Sequence, residues 1–277
     1  MIRQTKIWKS LSGSGKVSIV LLLLIVSFTV GYHLFGSETY RQPSGSSLEA
    51  PGLRHMMGTD DLGIDIAAQI GHGAGVSLLV GISSALLAGL GGSILGILAG
   101  YYRGWKDKLV MGLCDVVMTM PQMPLLIVLG AFFGSSTRNI ILVIGFMSWA
   151  GPARIVRSRM LSMGKEAYVA AARSYGAGFF HLLMKHFIPG LYPLILVSMI
   201  RIVGHAIVAE AGLSFLGLGD PVSKSWGVIL NRSINFPGIF FVESWKWWVL
   251  FPLVFLLVLV VSFAFLGRDL EKIMNTK

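Results

Sequence analysis

Residues 76–102 read VSLLVGISSALLAGLGGSILGILAGYY, and the architecture follows from what that run can be. It contains no Asp, Glu, Lys or Arg. A helix needs about 20 mostly apolar residues to cross roughly 30 Å of hydrocarbon, so the run is long enough. It lacks the alternation of a barrel strand, and no third kind of segment spans lipid, where unpaired backbone groups are too costly. Within it Gly92, Gly96 and Gly100 recur every fourth residue, with Gly89 just before. Small residues at that spacing let helix backbones approach closely, which is a packing signal and carries no chemistry.

Five further apolar runs flank it, so the predicted spans are 17–35, 76–102, 109–133, 139–153, 190–211 and 247–266. The fourth is short and borrows from its flanks. The fold class is therefore an all-α membrane protein with six transmembrane helices. Composition agrees: 54% of the 277 residues are apolar and 13% charged, against roughly 25% charged in soluble domains. The mean hydropathy of +0.73 excludes a soluble α/β or all-β enzyme, and a disordered chain would be apolar-poor and charge-rich. Cys114 is the single cysteine, so no internal disulfide and no cysteine cluster can form. The first run follows Arg3, Lys6, Lys9 and Lys16 but exceeds the apolar length of a secretory signal and precedes no A-x-A site. An uncleaved first helix is expected.

Lys and Arg set the orientation. With the N-terminus cytoplasmic, segments 1–16, 103–108, 154–189 and 267–277 lie inside and hold sixteen of the 23. The outer segments 36–75, 134–138 and 212–246 hold six, and Arg201 falls within a span. The net charge of +10 is thus topology rather than a nucleic-acid footprint. The chain divides into a cytoplasmic N-terminus with the first helix (1–35), an extracytoplasmic segment (36–75), a five-helix core (76–266) containing the inner segment 154–189, and a cytoplasmic tail (267–277).

In the outer segment, Pro-Ser-Gly-Ser-Ser at 43–47 reads as loop, followed by GTDDLGID at 58–65 and an amphipathic stretch to about Ile70. Asp60 or Asp61 is the expected cap of a short surface helix there. Pro121 and Pro124 are expected to bend or loosen the third span. In the inner segment Ala167, Ala170, Ala171 and Ser174 fall at i, i+3, i+4 and i+7, which predicts a short helix with one face of very small side chains. Gly176 is its predicted stop with φ > 0, and Phe179, Phe180, Leu182, Leu183 and Phe187 resume at helical spacing before Pro189 opens the next span. A small-residue face does nothing for solubility but suits insertion into a protein groove. The alternative is an ordinary interfacial helix.

Asp115, Arg201, His205 and Glu210 fall inside predicted spans, where a charge costs at least roughly 2.5–3.5 kcal/mol, so each should face protein or water. They are candidates for a polar pathway lining, or for pairing within the bundle, as Asp115 with Arg201 would. Arg201 and His205 share a face at i, i+4, and Glu210 lies nearly opposite.

The Ser12-Gly13-Ser14-Gly15-Lys16 run has Ser10 where a phosphate-binding loop needs Gly and Val17 where it needs Ser or Thr. Neither H-E-x-x-H nor G-x-S-x-G occurs, and the six His are scattered. An intramembrane enzyme is disfavoured accordingly. An ion-driven secondary transporter would often carry inverted repeats, and none is visible.

Ala167-Tyr168-Val169-Ala170-Ala171-Ala172-Arg173 through Gly176-Ala177, with Pro189 downstream, resembles the permease subunit of a binding-protein-dependent ABC importer of the dipeptide, oligopeptide and nickel branch. Leu213-Ser214-Phe215-Leu216-Gly217-Leu218-Gly219, Ser225-Trp226-Gly227 and the 58–63 run GTDDLG are similar to the same family. The resemblance covers about three quarters of the chain. It implies a type I importer fold in which the inner loop is a coupling helix docked on an ATPase subunit, with Ala170, Ala171 and Gly176 in the loop's Glu-Ala-Ala…Gly positions. Ala170 stands where the family has Glu, and Ile64 where it commonly has Arg. The implied partners are a second homologous permease, two ATPase subunits that bind ATP and Mg, an external substrate-binding protein and the lipid bilayer of a prokaryotic cytoplasmic membrane. No cofactor is expected on this chain and no nucleic acid beside it. Short peptides or a nickel or other metal chelate are the implied cargo, Gly204-His205 being similar to some nickel-branch members.

Overall fold

A computed structural model describes residues 11–35 and 40–275. Arg3, Lys6, Lys9, Lys277 and residues 36–39 lie outside them. The elements are α1 (Gly13–Phe35), α2 (Ile66–Tyr102), α3 (Gly104–Thr119), α4 (Gln122–Phe133), α5 (Thr137–Ser148), α6 (Ala150–Met163), α7 (Ala167–Ser174), α8 (Phe179–Leu182), a π turn (Leu183–Phe187), α9 (Ile188–Phe215), α10 (Trp226–Ile234), α11 (Trp245–Trp248) and α12 (Leu250–Asn275). Five continuous stretches are long and apolar enough to cross a membrane, and α3 with α4 form a sixth, bent by 92°. The expected all-helical, six-span architecture stands.

α2 is the axis, packed on α6, α9 and α5. Its glycines set the distance. A Cβ at Gly92 would overlap the Trp149 carbonyl oxygen, one at Gly96 the Ala153 carbonyl oxygen, and one at Gly100 would sit 2.6 Å from Met160 Cβ. The backbones of α2 and α6 touch because nothing projects between them.

Two expectations at the head of α2 need correction. The helix begins at Ile66 rather than 76, so the amphipathic stretch is its first turn and not a separate surface helix. Glycines in its first turns serve close contacts: a Cβ at Gly71 would press on Tyr32, and one at Gly73 on the Lys224 carbonyl and Trp226. The cap is Asp65, whose Oδ1 accepts from Ala67 N–H at 3.0 Å. Asp60 caps nothing. Fully buried, it accepts from Leu62 N–H and Ile64 N–H at 2.9 Å each and from Gln69 Nε2 at 2.8 Å, fixing the preceding loop.

α10 is wedged at the same end of the bundle. Trp226 is wholly buried and donates Nε1–H to the Ile70 carbonyl at 2.9 Å, while a Cβ at Gly227 would sit 2.7 Å from Ala211. The loop before α10 also ties down α5, because Asp220 Oδ2 accepts from Thr137 N–H at 3.2 Å and Thr137 Oγ1 at 2.9 Å. Burial pushes the Asp220 carboxyl up, but donors from Thr137, Val222 and Ser223 outweigh it and hold it below its ordinary value. A depressed folded pKa stabilises the fold above the unfolded value, roughly 3.9, and that contribution disappears as pH falls through the folded value. Thermal unfolding in detergent should therefore show an acid-side loss below about pH 4 that Asp220→Asn makes shallower, with the variant less stable than the parent at pH 7.

Candidate functional site

Two features of the fold bear on function: a cavity where the helices break, and a hairpin at the opposite end of the bundle from α10. The cavity follows from proline chemistry. Pro121 fixes its own φ at −66° and drives Met120 into extended backbone with ψ 136°, which ends α3. Pro124 occupies the third position of α4, where its missing N–H would have had no helical partner, so it adds no second bend. The expected bend is present, and it is a break. α5 and α6 run on as one stretch through Trp149, which keeps helical φ and ψ, and Pro152 sits in the first turn of α6.

The ends of these segments enclose a cavity of about 410 Å³ against α9. Its apolar wall is rich in methionine (Met118, Met120 and Met147), and Gln122 and Ser148 add polar edges. From α9 come Ser198, Arg201 and His205, about one turn apart; Arg201 and His205 share a face as their spacing predicted. Unbranched Met side chains adapt their shape to what touches them.

The two remaining intramembrane charges do not join this lining. Asp115 pairs with Arg154 of α6 and not with Arg201, whose partner is Glu271 near the end of α12. The reason is register: α3 runs beside α6, with Arg157 gripping Asp107 two turns nearer its start through Nε to Oδ1 at 2.9 Å and Nη2 to Oδ2 at 2.6 Å. Glu210 points away from the cavity, as its position nine residues after Arg201 suggested. It is buried, and Oε1 accepts from Ser214 Oγ at 2.6 Å and Ser225 Oγ at 2.5 Å, joining α9 to the head of α10. Sequence reasoning missed Arg154, Ser225 and Glu271. Each was placed in a loop or tail, and nothing in the chain's order marks its long-range partner.

In the hairpin, α7 ends in a Schellman turn. Ala177 N–H donates to the Ala172 carbonyl at 3.0 Å and Gly176 N–H to the Arg173 carbonyl at 2.9 Å, with Gly176 at φ +81°. Val169 is fully buried against Met160, Met163, Leu182 and Phe187, which anchors the helix on the bundle. Ala167, Ala170, Ala171 and Ser174 face outward and are exposed. Pro189 differs from expectation. It does not open a separate span, since 179–215 runs as one segment, and the π turn immediately before it absorbs the missing N–H and ring clash.

Comparison with known proteins bears on both features. Residues 92–275, holding the cavity's whole lining and the hairpin, match the family model described as binding-protein-dependent transport system inner membrane component. The chain is 34% identical over 264 residues to the glutathione transport system permease protein of Pectobacterium atrosepticum, covering 93% of this chain and 84% of that one. It is 35% identical over 260 residues to the dipeptide transport system permease protein of Bacillus subtilis, covering 93% and 80%. A putative peptide permease protein of Brucella suis is 36% identical over 223 residues, covering 80% and 73%. This chain belongs to the inner membrane component family of binding-protein-dependent transport systems, and is a permease subunit of an ABC importer that works with ATPase and substrate-binding partners.

Proposed function

We propose that this chain forms half of an alternating-access pathway for short peptides in a prokaryotic cytoplasmic membrane, driven by ATP bound with Mg on two separate ATPase subunits. The reading of peptides over a metal chelate rests on the names of its relatives. The excess of Lys and Arg on the hairpin side supports a cytoplasmic location for that side and for both termini.

One observation carries the mechanism: α7 turns its small-residue face outward while Val169 fastens it to the bundle. A side chain seated in an ATPase groove through that face moves with the groove, and the buried Val169 hands the motion to α6 and the π turn before α9. Transport is coupled when the docked face binds the two ATPase states with different free energies. As the ATPases close, the hairpins approach and the cavity beside α9 changes the side to which it opens.

The other half of the pathway is a second, similar permease. Asp115 and Arg154 are 65% and 46% exposed in the single chain although both lie in membrane-level helices. Charges there are too expensive to leave against lipid, so protein or water covers them. Most of α3 and α4 is exposed with them, which supports this as the face that a second permease covers.

The test is reconstitution of the chain with its companion permease, ATPases and binding protein in proteoliposomes. Uptake of labelled di- and tripeptides should require both ATP and the binding protein. Uptake that continues without ATP under an ion gradient, or confined to a nickel chelate, would overturn the reading.

A further inference from the structure

We propose that Arg201 is the carboxylate receptor of the pathway, and that Glu271 is the internal carboxylate which holds its place between cargo molecules. The proposal rests on the peptide reading above. Among the described residues, Arg201 is the one permanently charged side chain lining the cavity. Its guanidinium contacts the Glu271 carboxylate, and the two side chains remain 52% and 41% exposed. A buried, interlocked ion pair would be a strut. A pair whose Arg201 lines the cavity, with about half of each partner exposed, can exchange.

The chemistry of exchange favours a carboxylate cargo. A guanidinium presents a planar fork of N–H donors that matches a carboxylate. A peptide's terminal carboxylate entering the cavity can take over those donors from Glu271, so that the cation is never left bare at membrane level, where a lone charge is costly. Glu271, one turn from the end of α12, then faces the aqueous side as the pathway turns inward. Its return to Arg201 displaces the cargo towards the cytoplasm. The remaining neighbours are suited to the rest of a peptide: Gln122 and Ser148 can meet amides, and the methionines can meet side chains of any shape. Gly267 keeps the arrangement open, because a Cβ there would come to 3.3 Å from Arg201 Cγ and confine its stem.

The experiment compares uptake of a tripeptide with that of its C-terminal amide by the complete importer in proteoliposomes. The preference of the binding protein is common to every variant, so it cancels when the acid-to-amide ratio of a variant is divided by that of the parent. Arg201→Gln should lower this ratio by about tenfold or more, and Arg201→Lys should restore only part of it, keeping the charge but not the planar fork. Glu271→Gln should lower KM for the acid together with its kcat, as expected when cargo is no longer displaced, while leaving the amide nearly unchanged. Equal losses for acid and amide in Arg201→Gln and Glu271→Gln would mean the pair is only structural and would overturn the proposal. Failure of the unaltered importer to take up either peptide would instead sink the peptide reading, and this inference with it.

Discussion

Replacing Gly96 with leucine should abolish accumulation of folded protein in the membrane, and even Gly96→Ala should lower the unfolding temperature in detergent. A Cβ at this position overlaps the Ala153 carbonyl oxygen, an atom of the α6 backbone that cannot rotate aside. Gly92 meets the Trp149 carbonyl in the same way. Overpacking a tight contact costs about 1–3 kcal/mol and more where backbone must shift, a large share of the roughly 5–15 kcal/mol that holds a typical domain together. Alanine has an intrinsic advantage of about 0.5–1 kcal/mol over glycine in a helix, so propensity alone predicts the opposite sign. Gly91 supplies the internal control. It lies on the same helix with nothing within 4 Å of its would-be Cβ, and Gly91→Ala should be neutral or stabilising. Equal tolerance at 91, 92 and 96 would show that the α2–α6 contact is looser than described.

The same helix shows what the sequence could and could not disclose. The fourfold glycine spacing announced a close helix contact, because in lipid that spacing has one main use. It could not say that α6 was the partner. Gly71 and Gly73 carried no such signal: they make room for Tyr32, Trp226 and the Lys224 carbonyl, none of them near in the chain. The break at Pro121 was legible because proline acts on its immediate neighbour. The cavity beside it was only half legible. Arg201 and His205 declared a shared face through their spacing, but Glu271 lies seventy residues from Arg201 and its place beside it depends on how α12 crosses α9. Local rules were readable; the pairing of distant charges needed the packed bundle. Glu210 illustrates the boundary, with Ser214 one turn away visible in the sequence and Ser225 brought to it only by the fold of the intervening loop.

The hairpin offers the sharpest separation of stability from function. Ala171→Trp should leave the fold intact and cut both ATPase association and ATP-dependent uptake by tenfold or more. The first half follows from burial. Ala171 is exposed, and the turn after α7 is closed by backbone hydrogen bonds that its side chain does not enter. Helix propensity differs little enough between Ala and Trp, within about 0.7 kcal/mol, that α7 should persist. The second half follows from the proposed docking: if α7 seats its methyl groups in an ATPase groove, an indole there forces withdrawal, and loss of about 1.4 kcal/mol of docking energy is already tenfold. Val169→Ala is the complementary variant. It removes two methyl groups from the buried anchor and should loosen the hairpin, lowering stability while leaving the docking face chemically unchanged. Gly176→Trp is less discriminating, because φ +81° would strain any side chain there and mix a folding defect into the readout. The informative pair is therefore Ala171→Trp, folded but uncoupled, and Val169→Ala, less stable but still able to bind the ATPase. If Ala171→Trp retains both association and uptake at parental levels, the ATPase grips the chain elsewhere and the exposed alanines are only a helix surface.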